Sequence, residues 1–290
     1  MVAKSTPITP TAAERHKNYY YLAGTHTAIV NRSTTMSEVD FTLAGKVALV
    51  TGASRGIGAS IARAFAERGA TVVISSRKQP DLDAVATAIN ALEGGRCIAI
   101  ACHGGKLDQM QQLFAAITEQ CGQLDILVNN AATNPYFGPA IDCPEAAFDK
   151  TLEVNLKGYF FMSQMAARLM RKTGGGSIIN MASIAGLRSG VNEVVYAMTK
   201  AGVINMSKGF AKELGPDNIR VNAIAPGVVE THFAQALISD QAKADAVVAK
   251  TPLRRYGQPN DIAGAAVYLA SDAAAYVTGS VMVLDGGSSA

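Results

Sequence analysis

Short hydrophobic runs rich in Val and Ile alternate with longer stretches in which apolar residues recur every three or four positions, from Lys46 to the end of the chain. Short runs of this kind are typical of buried strands, and the longer stretches are typical of amphipathic helices. The predicted strands are 47–50, 71–75, 98–101, 126–129, 177–181, 220–224 and 280–284. Because no hairpin signal lies between them, we expect crossover connections through helices. The order predicts an α/β fold, a doubly wound parallel β-sheet of about seven strands with helices on both faces.

Residues 1–40 have no sustained period of either kind and contain prolines at 7 and 10 among many Ser and Thr. We predict a disordered N-terminal extension at 1–40 and a single folded domain at 41–290. Within 1–37, four basic residues face the single acid Glu14. This composition also fits a targeting segment, and Met36 leaves a mis-assigned start or an added leader as alternatives.

Composition and charge exclude several classes of protein. Apolar residues make up 49% of the chain and charged residues 17%, which is typical of a globular chain with a sizeable core. No apolar run approaches the ~18 residues that cross a bilayer, so we expect no membrane span. After residue 37 the chain has 22 basic and 22 acidic residues, which argues against a nucleic-acid partner. The four cysteines form no metal-ligand spacing, so we predict no metal site and free thiols in the cytoplasm.

A glycine-rich segment, residues 51–58, joins the first predicted strand to a helix. Glycines allow the backbone to approach a pyrophosphate, which binds at the positive end of the helix that follows. This context of strand, loop and helix predicts a Rossmann-type dinucleotide site. Its predicted cofactor-binding residues are Gly52, Ser54, Arg55, Gly56, Ile57 and Gly58.

The end of the second strand determines which dinucleotide is expected. An acidic residue there binds the ribose 2′-hydroxyl of NAD, whereas an arginine accommodates the 2′-phosphate of NADP. This chain has Ser76 and Arg77 at that point and no acid, and Arg55 is a second cation near the same phosphate. We therefore predict NADP(H) as the cofactor.

Tyr196 and Lys200 lie four residues apart in a helical stretch, thirteen and seventeen residues after Ser183. This spacing places both side chains on one helix face. A cation beside a phenol stabilises the phenolate, which a tyrosine needs in order to exchange protons near neutral pH.

Together these residues resemble the classical short-chain dehydrogenase/reductase family over residues 43–287. The resemblance implies that Tyr196 is the general acid, that Lys200 tunes Tyr196 and binds the nicotinamide ribose, and that Ser183 hydrogen-bonds the carbonyl oxygen. It implies further that Asn155 holds a water in a proton relay and that Thr231 anchors the carboxamide. The remaining cofactor-site residues that it implies are Asn129, with a mainly structural part between strands, and Ala131, Pro226, Gly227 and Val229.

Within that family, segments 75–79, 102–106 and 134–138 resemble NADPH-dependent carbonyl reductases of the dehydrogenase/reductase SDR family member 4 type. The animal members end in a peroxisomal tripeptide, whereas this chain ends Ser-Ser-Ala, so peroxisomal import is not expected. Many relatives have Asp where Cys102 and His103 stand, so His103 is either an adenine contact or a surface residue. The implied reaction is the reversible NADP(H)-dependent reduction of ketone or aldehyde carbonyls to alcohols.

Two alternative activities remain open. The first is a 3-oxoacyl-[acyl-carrier-protein] reductase, although the arginine pair that docks the carrier aligns with Gly174 and Asp217 here. The second is an NAD-dependent secondary alcohol dehydrogenase, which Arg77 disfavours. The resemblance also implies a homo-oligomer, a tetramer or a dimer.

The expected substrate walls are 134–137, 184–195 and 228–237, which contain mainly apolar and aromatic side chains. They favour a small-molecule carbonyl or alcohol substrate of hydrophobic or aromatic character over a sugar acid. Arg188 and His232 are the polar exceptions, and each is either a substrate contact or a solvated side chain.

Overall fold

The computed structural model describes residues 39–234 and 241–290. Apart from Val39 and Asp40, the predicted N-terminal extension lies outside the described residues. So does the 235–237 end of the third predicted substrate wall.

The described residues form a seven-stranded sheet in the order β3-β2-β1-β4-β5-β6-β7, and every neighbouring pair is parallel. The predicted doubly wound α/β fold is confirmed. The strands are β1 Val47–Thr51, β2 Thr71–Ser76, β3 Arg96–Ala101, β4 Ile126–Asn129, β5 Gly176–Met181, β6 Ile219–Pro226 and β7 Val281–Leu284. Most begin or end within two residues of the predicted bounds. The largest difference is at β6, which extends to Pro226 because that residue pairs with Leu284 of β7.

Helices connect successive strands, as the missing hairpin signals predicted. They are α1 Gly56–Ala66, α2 Gln79–Asn90, α3 Leu107–Cys121, α4 Glu145–Leu152, α5 Gly158–Thr173, α6 Val194–Leu214, α7 Gln241–Lys250 and α8 Pro259–Ala270. A π turn at Glu153–Lys157 joins α4 directly to α5. None of the helices in the described ranges is long and apolar enough to cross a membrane.

The sheet separates two hydrophobic layers, and β1 shows how its sequence supplies both. Ala48 and Val50 pack into the layer with α1, α2 and α8, while Val47 and Leu49 pack into the layer with α3, α5 and the end of α6. Both faces of β1 are therefore buried, which is why its sequence is a continuous apolar run rather than an alternating one.

The strand order reverses between β1 and β4: the chain after β1 continues to β2 on one side, and the chain after β4 continues to β5 on the other side. In doubly wound sheets the crevice at such a reversal, beyond the carboxyl ends of the strands, is where ligands bind. The ends of β1, β4, β5 and β6 therefore determine the position of the candidate site.

Candidate active site

The glycine loop after β1 is packed so closely against the end of β4 that two of its residues cannot have side chains. Gly52 has φ +63°, and a Cβ atom there would lie 2.7 Å from the Cα of Ala131. A Cβ atom on Gly58 would lie 2.5 Å from the carbonyl oxygen of Gly52. The Asn130 amide donates to the carbonyls of Thr51 and Gly52 at 3.0 and 3.1 Å, which fixes the loop in this shape.

This loop leads into the first turn of α1 and fits a bound pyrophosphate. Arg55, the residue before the helix, has extended backbone and makes no side-chain capping bond, and the first turn contains no acid. The N–H groups of that turn are therefore available to an anion, and the helix dipole favours one there. Ser54, Arg55, Gly56 and Ile57, which the sequence predicts to bind the cofactor, lie at the start of this helix.

The end of β2 lies next to the glycine loop. The Ser54 hydroxyl donates to the Ser76 hydroxyl at 3.3 Å, so the two segments are in direct contact. The side chains of Arg55 and Arg77 are both exposed. Among the described residues neither guanidinium forms a hydrogen bond or ion pair, and no carboxylate stands directly at the end of β2.

Asn129 is wholly buried and its side chain supports the protein interior. Its amide donates to Asn180 Oδ1 at 2.8 Å and to Ser163 Oγ at 3.0 Å, and Asn180 in turn donates to Ser207 Oγ at 2.9 Å. This chain of hydrogen bonds joins β4 and β5 to α5 and α6. Asn129 thus has the supporting position predicted for it, whereas Ala131, two residues later, forms the wall of the glycine loop.

Ser183 and Tyr196 are neighbours at the end of β5, where the Ser183 hydroxyl is close enough to lower the pKa of the Tyr196 phenol. Ser183 begins the short turn after that strand, where its hydroxyl also accepts from the Ala185 amide at 3.1 Å. Burial raises the pKa of Tyr196 above its usual range, although the Ser183 hydroxyl opposes this shift. The phenol therefore keeps its proton at neutral pH.

Lys200 is almost fully buried, with 1% of its surface exposed. Its Nζ donates to the Met181 carbonyl at 2.6 Å and lies 5.1 and 5.6 Å from the ring centres of Tyr159 and Tyr196. Burial lowers the pKa of Lys200 to about 7. The amine is thus poised between its charged and neutral forms near neutral pH, one helical turn from Tyr196.

Asn155 lies in the π turn and is fully buried. Its Oδ1 accepts from the Thr133 amide and its Nδ2 donates to the Thr133 carbonyl, both at 2.8 Å. Its Nδ2 also lies 3.4 Å from Thr199 Oγ1. Asn155 therefore joins the segment after β4 to the helix of Tyr196 and Lys200.

The segment after β6 closes the other side of the glycine loop. The Thr231 methyl group would lie 3.2 Å from a Cβ atom on Gly56, so Thr231 directly faces the first turn of α1. Gly227 packs on Asp285, where a Cβ atom would lie 2.8 Å from the Asp285 side chain. Pro226, Gly227, Val229 and Thr231 thus follow one path from β6 to the dinucleotide position.

A charged cluster beside the site was not recognised from the sequence. Glu153, in the π turn, pairs with Lys150 at 2.9 Å and with Lys106 at 3.1 Å, and Lys150 also lies 2.9 Å from His103 Nε2. The Gly105 amide donates to His103 Nδ1 at 3.0 Å. Both ring nitrogens of His103 are therefore engaged by the protein, and the cluster fastens the loop after β3 to the turn of Asn155.

Large apolar side chains remain exposed along the predicted substrate walls. Phe137, Leu187, Val191 and Phe233 are each about half exposed or more, and the Phe233 ring lies 5.7 Å from the ring of Tyr196. His232 is exposed, and Arg188 is turned away, with its Nη2 3.4 Å from the Ser288 carbonyl. The described residues thus bring an apolar surface to Tyr196.

Comparison with known proteins agrees with this geometry. The family model described as "Enoyl-(Acyl carrier protein) reductase" matches residues 52–289. The chain is 41% identical over 245 residues to "Dehydrogenase/reductase SDR family member 4" of Oryctolagus cuniculus, covering 84% of this chain and 94% of the relative. It is also 41% identical to "L-rhamnose 1-dehydrogenase (NAD(P)(+))" of Azotobacter vinelandii, covering 84% and 97% of the two chains.

A solved structure of a gluconate 5-dehydrogenase from Burkholderia cenocepacia, in complex with NADP and tartrate, superposes with a TM-score of 0.82. That chain is 34% identical, and the match covers 86% of this chain and 97% of the other. The fold and site define an oxidoreductase that uses a nicotinamide cofactor on a small-molecule substrate. The chain belongs to the classical short-chain dehydrogenase/reductase family, as its motifs predicted.

Proposed function

We propose that this protein is an NADP(H)-dependent carbonyl reductase that converts ketones or aldehydes to alcohols, reversibly. The observation on which the proposal rests is Tyr196 with Ser183 beside it and the buried Lys200 ammonium 5.6 Å from its ring centre, next to an apolar surface that includes Phe233. We infer that Asn155, Ser183, Tyr196 and Lys200 are the catalytic residues. The nicotinamide, when bound, supplies or accepts the hydride.

In reduction, the Tyr196 hydroxyl donates its proton to the carbonyl oxygen. Its raised pKa keeps this acid protonated at neutral pH, and the Ser183 hydroxyl donates a hydrogen bond to the same oxygen as negative charge develops there. A protonated Lys200 stabilises the phenolate that remains. Because the pKa of Lys200 is about 7, this amine can also pass a proton toward Tyr196. Asn155 holds the π turn against α6 and so keeps this route in place.

The cofactor proposed is NADP(H). Arg55 and Arg77 are free to pair with a 2′-phosphate, since neither has a carboxylate partner among the described residues. No acid stands directly at the end of β2, at Ser76, Arg77 or Lys78, to accept hydrogen bonds from the ribose of NAD. The gluconate 5-dehydrogenase was solved with NADP, which supports the same choice for a related chain.

The alternative of an acyl-carrier-protein reductase has weaker support. At the positions where such reductases have docking arginines, this chain has Gly174 and Asp217. Asp217 forms an ion pair with Arg171 at 2.6 Å. The charge of the arginine on this surface is therefore already neutralised and is less available to bind an acidic carrier protein. An NAD-dependent secondary alcohol dehydrogenase would leave Arg55 of the glycine loop and Arg77 after β2 without a phosphate partner.

We further propose that the protein is a cytoplasmic homo-oligomer, a tetramer or a dimer, formed through α5 and α6. Phe160 of α5 is 42% exposed and packs edge-on against Phe161 and at a tilt against Phe210, with ring centres 5.3 and 5.4 Å away. An aromatic group of this size on a helix surface favours burial by a second subunit. The four cysteines are all free, which suits a reducing compartment.

The substrate class is tested by initial rates with NADPH against aromatic ketones, α-dicarbonyls, retinal and an acetoacetyl thioester, and with NADP⁺ against L-rhamnose. We expect turnover of the aromatic and dicarbonyl compounds. Turnover confined to the thioester would assign the protein to fatty-acid synthesis. Turnover confined to L-rhamnose would instead assign it a role like that named for the Azotobacter relative.

A further inference from the structure

Glu193 places a carboxylate beside the proton donor of the proposed reaction. It immediately precedes α6 and lies three residues before Tyr196, so both side chains project from the same side of the helix start. The charge of Glu193 is close enough to raise the pKa of Tyr196. The sequence predicts segment 184–195, which contains Glu193, only as part of a mainly apolar substrate wall.

The Glu193 side chain is half-buried, and only one of its two carboxylate oxygens accepts a hydrogen bond within the described residues. Its Oε1 accepts from the Gly190 amide at 3.0 Å, and within the described part of the chain its Oε2 has no hydrogen-bond partner. Burial raises the pKa of this carboxyl, which shows that water solvates it incompletely. The neighbouring residues Asn192 and Val194 line a small groove with Tyr136 and Cys143.

The cations on this side of the site do not balance that charge. Arg188 points toward the Ser288 carbonyl, and the Lys200 ammonium is directed at the Met181 carbonyl. No lysine or arginine in the described ranges pairs with Glu193. A substrate carboxylate would therefore meet the Glu193 carboxylate without a neutralising arginine beside it.

We propose that Glu193 is a specificity-determining residue that excludes anionic substrates and favours neutral carbonyl compounds. The inference rests on the proposed carbonyl reductase and narrows its substrate class. At an effective dielectric constant of about 20, two like charges within ~10 Å of each other repel strongly enough to reduce binding about tenfold or more. A neutral ester or amide of the same shape escapes this repulsion.

Paired substrates test the proposal directly: ethyl benzoylformate and benzoylformate differ chiefly by one negative charge. For the wild type we expect kcat/KM to favour the ester, and in Glu193→Gln we expect the ratio to shift toward the acid by about tenfold. Added salt should raise the rate with the acid in the wild type but not in the variant, since salt screens the repulsion. Glu213→Gln, on the exposed far end of the same helix, is the matched control and should leave the ratio unchanged.

A second measurement compares the binding of a neutral and an anionic ligand without any turnover. Benzamide and benzoate are titrated into the NADP⁺-loaded protein, and we expect the wild type to prefer benzamide and Glu193→Gln to lose that preference. An acid-to-ester ratio and a benzoate-to-benzamide ratio that are both unaltered in Glu193→Gln would overturn the inference. Absence of turnover with every carbonyl compound would reject the proposed function instead, and the binding ratio would still decide the role of Glu193.

Discussion

At Tyr196 and Lys200, burial acts against the charges that proton transfer needs. It raises the pKa of the phenol and lowers the pKa of the amine to about 7, so the neutral forms of both groups are favoured before a ligand arrives. The two groups are close enough for a charge on one to stabilise the opposite charge on the other. A small change in their surroundings can therefore move a proton between them.

Replacing Tyr196 with Phe removes the proposed proton donor and changes little else in shape. We expect kcat to fall by about 10²- to 10⁴-fold, as for the loss of a general acid, while NADPH binding and the melting temperature stay close to the wild type. Tyr276→Phe removes the same hydroxyl from a fully exposed ring and is the control. Unchanged turnover in Tyr196→Phe would reject the assigned mechanism.

Replacing Lys200 with Met should make folding stability less dependent on pH. The folded-state pKa of about 7 lies below the ordinary value of 10.5, so between these values the unfolded chain binds one more proton than the folded protein. The free energy of unfolding of the wild type should therefore rise, relative to Lys200→Met, by about 1 kcal/mol per pH unit above pH ~7. Urea unfolding of both proteins across this range measures the difference, and parallel curves would contradict the lowered pKa.

At the scale of elements, Gly52 of the glycine loop is constrained both by its positive φ and by close packing against Ala131. Gly45, which lies outside the loop, has only the first constraint, so mutation can separate the two. Gly45 and Gly52 both have positive φ, but a Cβ atom on Gly45 would meet nothing within 4 Å, whereas one on Gly52 would strike Ala131. Gly45→Ala should cost about 1 kcal/mol of stability and leave NADPH affinity intact. Gly52→Ala should cost more and weaken NADPH binding at least about tenfold, because the loop must move. Calorimetric titration and urea unfolding compare the two, and equal effects would argue against a packed loop.

Most strands and helices could be predicted because burial on one or both faces leaves a period in the sequence. The π turn at Glu153–Lys157 could not, since its residues continue a helical pattern and one wider turn leaves no distinct period. The Lys106–Glu153–Lys150 cluster was missed for a related reason. Its members are charged residues that look solvent-exposed in sequence, and only the packing of the loop after β3 on this turn brings them together.

The candidate site was predictable where chemistry dictates the residue type, as at Gly52, Ser183, Tyr196 and Lys200. It was less so where the tertiary structure dictates the role. The Asn130 amide holds the glycine loop, and Glu193 turns back onto Gly190 beside Tyr196. Neither role leaves a spacing that distinguishes a site residue from an ordinary loop residue.

At the scale of the whole molecule, the exposed aromatic face of α5 predicts association. Light scattering of the native protein should give the mass of a tetramer or a dimer, and Phe160→Glu should shift that mass toward a monomer by placing a charge in the proposed interface. Phe148→Glu, at a similarly exposed aromatic on α4, tests whether the contact is confined to α5. A monomeric wild type would refute the proposed assembly and leave the single-subunit site unaffected.

The most direct test of the whole account is the ratio of kcat/KM for NADPH to that for NADH, measured with one neutral aromatic ketone or dicarbonyl. We expect the ratio to exceed about tenfold, and to fall toward unity in Arg77→Gln, because each charge-assisted contact to the 2′-phosphate contributes one to a few kcal/mol. An NADH preference in the wild type, or no reduction of neutral carbonyl compounds with either cofactor, would contradict the proposal of an NADP(H)-dependent carbonyl reductase.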